Sequence, residues 1–215
     1  MRERFAAIYT AALADILDAR GHREQTLPHS IRPLDPGMRL AGPAYTIKGA
    51  PGASLDADEY DTSIRAVLAM LGDVPGGHVA VYACDHDVSA HLGELSVTSL
   101  KARGVAGCVL DGGCRDVAFI RDEGFPVFTR FVTPEDSTWR WELEATQVPV
   151  TIGRVRIEPG DWIVGDDDGV VVVPQAIAEN VLEEAEVKAA TESEIRDAVR
   201  AGMPPLEAYE RFGTF

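Results

Sequence analysis

An α/β fold, with parallel strand–helix units followed by a β-rich half and a C-terminal helix, is predicted by three observations. Between residues 78 and 131 apolar runs alternate with amphipathic stretches, a pattern that lays parallel strands in one sheet with helices on its face. Between 132 and 175 short β-branched runs are separated by Gly-, Pro- and Asp-rich turns. From Pro174 onward the chain is acidic and helical in period.

The elements follow in order. Residues 3–20 place Phe5, Ile8, Ala12, Ile16 and Leu17 at helical spacing, and Gly21 can cap the end, so one N-terminal helix is expected. Residues 22–38, with three prolines, read as a connector. Residues 40–48 alternate like a strand, and Pro43 predicts an edge or a bulge there. GAPGASLDADEYD, 49–61, reads as loop, after which Asp61-Thr62-Ser63 can cap a helix reaching Leu71. A strand is expected over 78–83, a polar loop over 84–89, a helix over 93–103, a strand over 107–111, a helix over 115–123 and a strand over 126–131. In the second half, strands are predicted at 148–152, 155–157, 162–164 and 170–173, and Gly165-Asp-Asp-Asp-Gly169 is a turn between the last two rather than a calcium loop. The C-terminal helix carries its apolar stripe on Ile177, Val181, Leu182, Ala185, Ile195 and Val199.

Composition narrows the function. At 215 residues the chain fits one domain, 1–215, in which 175–215 forms a helical extension. It is 46% hydrophobic and 26% charged without a long apolar run, which predicts a cytoplasmic protein with no membrane span. A net charge of −15 repels phosphate backbones, so no nucleic-acid partner is expected. Cys84, Cys108 and Cys114 are odd in number and lack a CxxC pair, and they read as buried apolar residues in a reducing compartment.

Ligands of open parallel sheets sit beyond the carboxyl ends of the strands, where loops run into helix starts. Two such junctions occur here, His91-Leu-Gly-Glu-Leu-Ser96 and Leu110-Asp-Gly-Gly-Cys-Arg-Asp116. Glycine lets backbone approach a ligand, and helix-start amides receive a carboxylate or an enolate oxygen, so a small anion fits. Arg115 adds a permanent fork for a carboxylate, and Asp116 offers a hard oxygen to a divalent ion. Glu94, one helix and strand earlier, can return to the same rim and pair with Arg115 or hold a proton-carrying water. Asp111 reads as a supporting residue at the strand end, and Asp85-His86-Asp87 as a solvated turn lining the substrate mouth with His91.

These residues carry a resemblance. GELSVTSLKARGVAGCVLDGGCRDVAFIRDEGFPVF, followed by PGDWIVGDDDGVVVVP, resembles the class II pyruvate aldolases of the 4-hydroxy-4-methyl-2-oxoglutarate aldolase type, a family that also holds the RraA-type regulators of ribonuclease E. The likeness spans roughly residues 8 to 210, and its most specific part is an acid, twenty residues, then Arg-Asp, matched by Glu94, Arg115 and Asp116. The resemblance implies an α/β/β sandwich of the swivelling-domain (RraA-like) type, assembled as a homotrimer or homohexamer with active sites between subunits and the C-terminal extension packing on a neighbour. It implies that Asp116 holds Mg²⁺ or Mn²⁺, that Arg115 stabilises an enolate, and that Gly93, Glu94, Leu95 and Ser96 bind the pyruvate moiety of a small 2-oxo acid. Glu94, Arg115 and Asp116 would then be catalytic, and Glu192, ahead of Glu194, would reach the site of an adjacent subunit. The implied activity is metal-dependent cleavage of a 4-hydroxy-2-oxo acid to pyruvate and a carbonyl product, with oxaloacetate decarboxylation, through a metal-stabilised pyruvate enolate.

Two departures stand out: Glu94 replaces the more usual aspartate, and Phe119 stands where the family has an acid three residues after Arg-Asp. The alternative is a non-catalytic RraA-type regulator binding a ribonuclease or helicase. The Asp116 ligand speaks against it, because a regulator needs none. A methyltransferase is disfavoured, since no Gly-rich nucleotide loop follows an N-terminal strand.

Overall fold

The structure, a computed structural model, describes residues 1–52 and 57–215. In chain order the elements are α1 (Arg2–Ala7), α2 (Thr10–Ala19), β1 (Arg32–Pro33), β2 (Leu40–Pro51), α3 (Ala57–Asp73), β3 (Val79–Ala83), β4 (Ala90–Leu92), α4 (Glu94–Ala102), β5 (Gly107–Cys114), α5 (Val117–Glu123), β6 (Val127–Val132), β7 (Trp141–Thr146), β8 (Val150–Ile152), β9 (Val155–Ile157), β10 (Trp162–Asp166), β11 (Gly169–Val173), α6 (Ala178–Arg200) and α7 (Pro205–Phe212).

The main sheet runs β1-β6-β5-β3-β2-β10-β11, with β4 added beside β5 and β7 beside β2. Strands β2, β3, β5 and β6 are parallel, as the strand–helix alternation requires, and β10 and β11 are antiparallel. The sheet curls into a nearly closed barrel. Segment 24–33 draws the two ends together: the Leu27 amide donates to the Val170 carbonyl at 3.0 Å, the Val172 amide to the Gln25 carbonyl at 2.8 Å, and Arg32 Nη1 to the Asp168 carbonyl at 2.7 Å.

Strand alternation divides the core. Val79, Val81, Val109, Phe128, Val170 and Val172 fill the barrel, where Val150, Ile152 and Ile157 of the small β8–β9 hairpin close one end. Ala80, Tyr82, Cys108 and Leu110 face outward under Met70 of α3, Leu100 of α4 and Ile120 of α5. Val171 and Val173 face the other way again, under Leu13 and Leu17 of α2 and Val181, Leu182 and Ala185 of α6. All three cysteines are free and buried.

Several expectations are corrected. The N-terminal helix is two helices, because the Thr10 amide and hydroxyl are captured at 2.8 and 2.7 Å by the Asp166 carboxylate, which starts α2 afresh. Pro43 is not on an edge. β2 is central, and its missing N–H falls where the strand changes partner, opposite Trp162 of β10 and one residue before pairing with β3 begins at Ala44. The helix after β2 starts at Ala57, so Asp61 lies inside it and pairs with Arg65 at 2.6 Å instead of capping; residues 53–56 of the expected loop lie outside the described residues. Strands β4 and β7 fall at residues to which the sequence assigned no element. Strand β5 does not end at Asp111 but continues through Gly112 and Gly113 to Cys114. A Cβ on Gly113 would come within 2.6 Å of both Phe131 and the Ser89 carbonyl. The glycine therefore serves close packing between β4 and β6 rather than a turn. Asp111, in mid-strand, is ion-paired with Arg130 at 3.3 Å. The turn expected at 165–169 is present as the tight β10–β11 connection.

Candidate active site

Parallel pairing of β4 with β5 is what assembles the site. Ala90 is registered against Gly113 and Leu92 against Cys114, and the Arg115 amide donates to the Leu92 carbonyl at 2.9 Å. The exits of the two strands into α4 and α5 therefore lie side by side, and Gly93 meets Arg115-Asp116. Gly93 is fitted to that neighbour: a Cβ there would stand 2.5 Å from Asp116 Oδ2 and 3.2 Å from Arg115 Nε. Asp116 occupies the N-cap of α5 with a left-handed backbone, φ 59°, a conformation that an aspartate tolerates better than most residues. Its Oδ2 accepts the Glu94 amide at 3.0 Å, so the carboxylate of one junction caps the helix of the other.

Arg115 is half-buried between two hollows. On one side is a cleft of about 110 Å³, walled by α3 (Ile64, Val67), by His91, Gly93 and Ser96, and by Ser137, Thr138 and Trp141. On the other is a shallower hollow that holds Asp116 with Val132, Thr133 and Pro134. Arg115 Nη1 donates to Asp136 Oδ2 at 2.8 Å, and its Nε lies 3.7 Å from Asp116 Oδ2. Burial works against the charge on Asp136, but the Thr138 amide and hydroxyl and the Arg115 guanidinium outweigh it and hold this carboxyl below its ordinary range. The guanidinium thus has a fixed anionic backing and can turn donors toward a ligand.

Gly93, Ser96 and Arg115 line the cleft, and Asp116 lies immediately behind Arg115. Glu94 and Leu95 begin α4 beside it, Leu95 with 81% of its surface exposed. Glu192 is not brought to the site of its own chain: on α6 it accepts a short hydrogen bond from the Tyr9 hydroxyl and an ion pair from Lys188 at 3.0 Å. Burial and then the Glu192 contact push the Tyr9 hydroxyl up to about 12, so it remains a donor. Cys114 stays a thiol, raised to about 12 by burial and by Asp116, which excludes it as a nucleophile at neutral pH.

His91 lines the cleft as expected, edge-on to His86 at 5.5 Å between ring centroids, whereas Asp85 and Asp87 are exposed. Asp136 and Trp141 were missed by sequence reasoning. Asp136-Ser-Thr138 does carry a readable turn signal, since an aspartate accepting the amide two residues on is an Asx-turn.

A divalent ion is compatible with this donor set in a limited way. Among the described residues no three His, Cys, Asp or Glu side chains converge, so Asp116 would supply one carboxylate and the remaining ligands would be water and substrate oxygens. Magnesium and manganese accept that arrangement.

Comparison with known proteins shows the family. The sequence family described as RraA-like (aldolase/RraA) matches residues 10–172. The chain belongs to the RraA-like family. A protein of Halalkalibacterium halodurans named "putative 4-hydroxy-4-methyl-2-oxoglutarate aldolase" is 33% identical over 207 residues, covering 96% of this chain and 91% of its own. One from Burkholderia multivorans bearing the same name is 36% identical over 165 residues, 76% of this chain and 96% of its own. Among solved structures, Streptomyces coelicolor RraAS2, described as an unusual member of the RNase ES inhibitor RraA protein family, superposes with a TM-score of 0.79 at 32% identity, over 90% of this chain and 94% of its own. No helix among the described residues of this RraA-like chain is long and apolar enough to cross a membrane.

Proposed function

We propose that the protein is a divalent-metal-dependent aldolase of the cytoplasm. It cleaves a 4-hydroxy-2-oxo acid such as 4-hydroxy-4-methyl-2-oxoglutarate to pyruvate and a carbonyl product, and it decarboxylates oxaloacetate. The observation that carries this reading is the juxtaposition of Arg115 and Asp116 across Gly93 at the paired ends of β4 and β5. Arg115, backed by Asp136, receives the 2-oxo acid end and offsets the negative charge that develops as pyruvate enolate forms. Gly93 lets the substrate approach backbone, and Ser96 offers a hydroxyl from the first turn of α4. Asp116 would hold Mg²⁺ or Mn²⁺, whose charge supplies Lewis acidity at the oxygens of the 2-oxo acid. Glu94, at the head of α4, would hold a proton-carrying water.

The reading includes assembly as a homotrimer or homohexamer, with α6, α7 and Glu192 directed to a neighbouring copy. Exposed Val132 in the Arg115 hollow, with exposed Leu95 at the head of α4 and exposed Phe119 on α5, supports a covered rim.

The test follows pyruvate release from oxaloacetate and from 4-hydroxy-4-methyl-2-oxoglutarate, first with EDTA and then with added Mg²⁺ or Mn²⁺. Turnover that requires metal, and that falls by about 10²-fold or more in Asp116→Ala, is expected. Turnover no higher than that of metal alone would sink the reading and favour the regulator alternative. That alternative has one specific support, the 32% identity to a member of a ribonuclease-inhibitor family. Its measurement is association with a ribonuclease or helicase.

A further inference from the structure

The aldolase reading leaves open what the substrate carries beyond C4, and the charges of the cleft bear on it. Among the described residues Arg115 is the one cation lining the cleft, and Asp136, the one carboxylate there, is already paired with it. Residues 53–56 read Ala-Ser-Leu-Asp and add no positive charge. Arg140, the next cation along the loop from Asp136, is turned to Glu135 at 3.2 Å and to the Asp136 carbonyl at 3.0 Å. His91 is uncharged at neutral pH, because burial and then His86 push its imidazole down to about 4.

The wall away from Arg115 is neutral. Ile64 and Val67 of α3 and Trp141 of β7 give it apolar surface, and the polar groups there are the hydroxyls of Ser63, Ser137 and Thr138. Tyr60, one turn before Ser63 and Ile64, stacks on Trp139 with ring centroids 4.8 Å apart, and this pair ties together the two segments that wall the cleft. The volume of about 110 Å³ is below the roughly 150 Å³ that holds a benzene ring, so it suits a chain of a few carbons.

Gly93 sets the direction in which that chain runs. It lines the cleft, and a Cβ on it would stand 2.5 Å from Asp116 Oδ2, so its bare backbone leaves the way open between the two. The hollow on the Asp116 side, with exposed Val132, is the one a neighbouring copy would cover. An oxo-acid end held between Arg115 and Asp116 therefore sends the rest of the molecule past Gly93 toward α3. A second carboxylate drawn there would leave water and meet no cation, whereas an uncharged chain covers Ile64 and Val67 without that cost.

We infer that the substrate is a 4-hydroxy-2-oxo monocarboxylate with a short uncharged C4 substituent, selected over dicarboxylates of the same skeleton by the α3 wall of the cleft. The inference rests on the aldolase reading and narrows it. A matched pair of acids tests it, 4-hydroxy-4-methyl-2-oxopentanoate and 4-hydroxy-4-methyl-2-oxoglutarate, which differ by a methyl group in place of the second carboxylate. Cleavage of C3–C4 in the first gives pyruvate and acetone, the hydroxyl proton being balanced by the one that C3 gains.

The experiment compares kcat/KM for the two acids with Mg²⁺-supplied protein, counting two pyruvates for each dicarboxylate cleaved. Wild type is expected to favour the monocarboxylate by at least about 10-fold. A smaller preference, or the reverse, overturns the inference and leaves the aldolase reading standing. Cleavage of neither acid above the rate of metal alone overturns the reading and the inference together. Ser63→Lys, which sets a cation on the α3 wall, is expected to move the ratio toward the dicarboxylate by at least about 10-fold. An unmoved ratio in a variant that circular dichroism shows to be folded counts against the placement of the chain. Calorimetry with 2-oxopentanoate and 2-oxoglutarate, which lack the C4 hydroxyl and cannot be cleaved, reads the same preference without turnover. Tighter binding of 2-oxoglutarate to wild type counts against the inference.

Discussion

On the wall formed by β10, β11, α2 and α6, Asp166 spends its carboxylate on the protein itself, accepting the amide and hydroxyl of Thr10 and the amide of Asp168. Nearby Asp161 does the same with the amides of Glu158 and Gln175. At the rim where β4 and β5 end, His91 has no such partner among the described residues, Asp116 is exposed, and the Asp136–Arg115 pair opens onto a cleft. Both regions place polar side chains next to buried strands. On the wall that capacity is consumed in closing the fold, and at the rim it is left over for a ligand. Saturation of hydrogen bonds thus separates structural aspartates from candidate catalytic ones better than burial or sequence position does.

Three substitutions test this contrast. Asp166→Ala should cost about 3 kcal/mol of stability, because it uncaps α2 and strands three donors at once. Chemical denaturation measures this, and turnover per folded molecule should stay close to wild type. Gly93→Ala should do the reverse. The new Cβ displaces the Asp116 carboxylate, the mobile end of a side chain, so stability changes by less than about 1 kcal/mol while activity falls about 10²-fold. Equal losses in both properties would erase the distinction between wall and rim.

The effect smallest at neutral pH is a pH dependence. The folded His91 pKa of about 4 lies below the ordinary 6.5, so between these values the unfolded chain binds a proton that the folded one refuses. Wild type should therefore lose stability relative to His91→Phe as pH falls through that window. The difference should reach about 3 kcal/mol near pH 4 and vanish above pH 7. Melting curves of the two proteins across pH 4–8 show whether the gap opens on the acidic side.

Much of this architecture was legible in the sequence, for identifiable reasons. The strand–helix units from Val79 to Val132 announced themselves because each strand is apolar on both faces and each helix is amphipathic, and α4 was placed within a residue at each end. The Arg115-Asp116 junction and Gly93 were legible because glycine beside charge at a strand exit has few structural uses. What could not be read depends on distant partners. The break between α1 and α2 is imposed by Asp166, 156 residues away. Strand β4 is three residues long and exists only because β5 accepts it. Gly112 and Gly113 look like a turn until Ser89, His91 and Phe131 are packed against them. Asp136 reaches Arg115 from a loop that carries no apolar rhythm.

The closure of the barrel has a consequence for how the chain acquires its shape. Arg32 meets its carbonyl partner at Asp168, 136 residues later, and Thr10 waits for Asp166 over a still longer span. During synthesis the parallel units can pair as they emerge, but the N-terminal helices and the outer edge of β2 have nothing to seal them until β10 and β11 are made. Contacts of such sequence separation slow folding, since loop closure precedes any reward from them. The nascent chain therefore presents an open strand edge for most of its translation, and the final hairpin acts as the latch that removes an aggregation-prone surface.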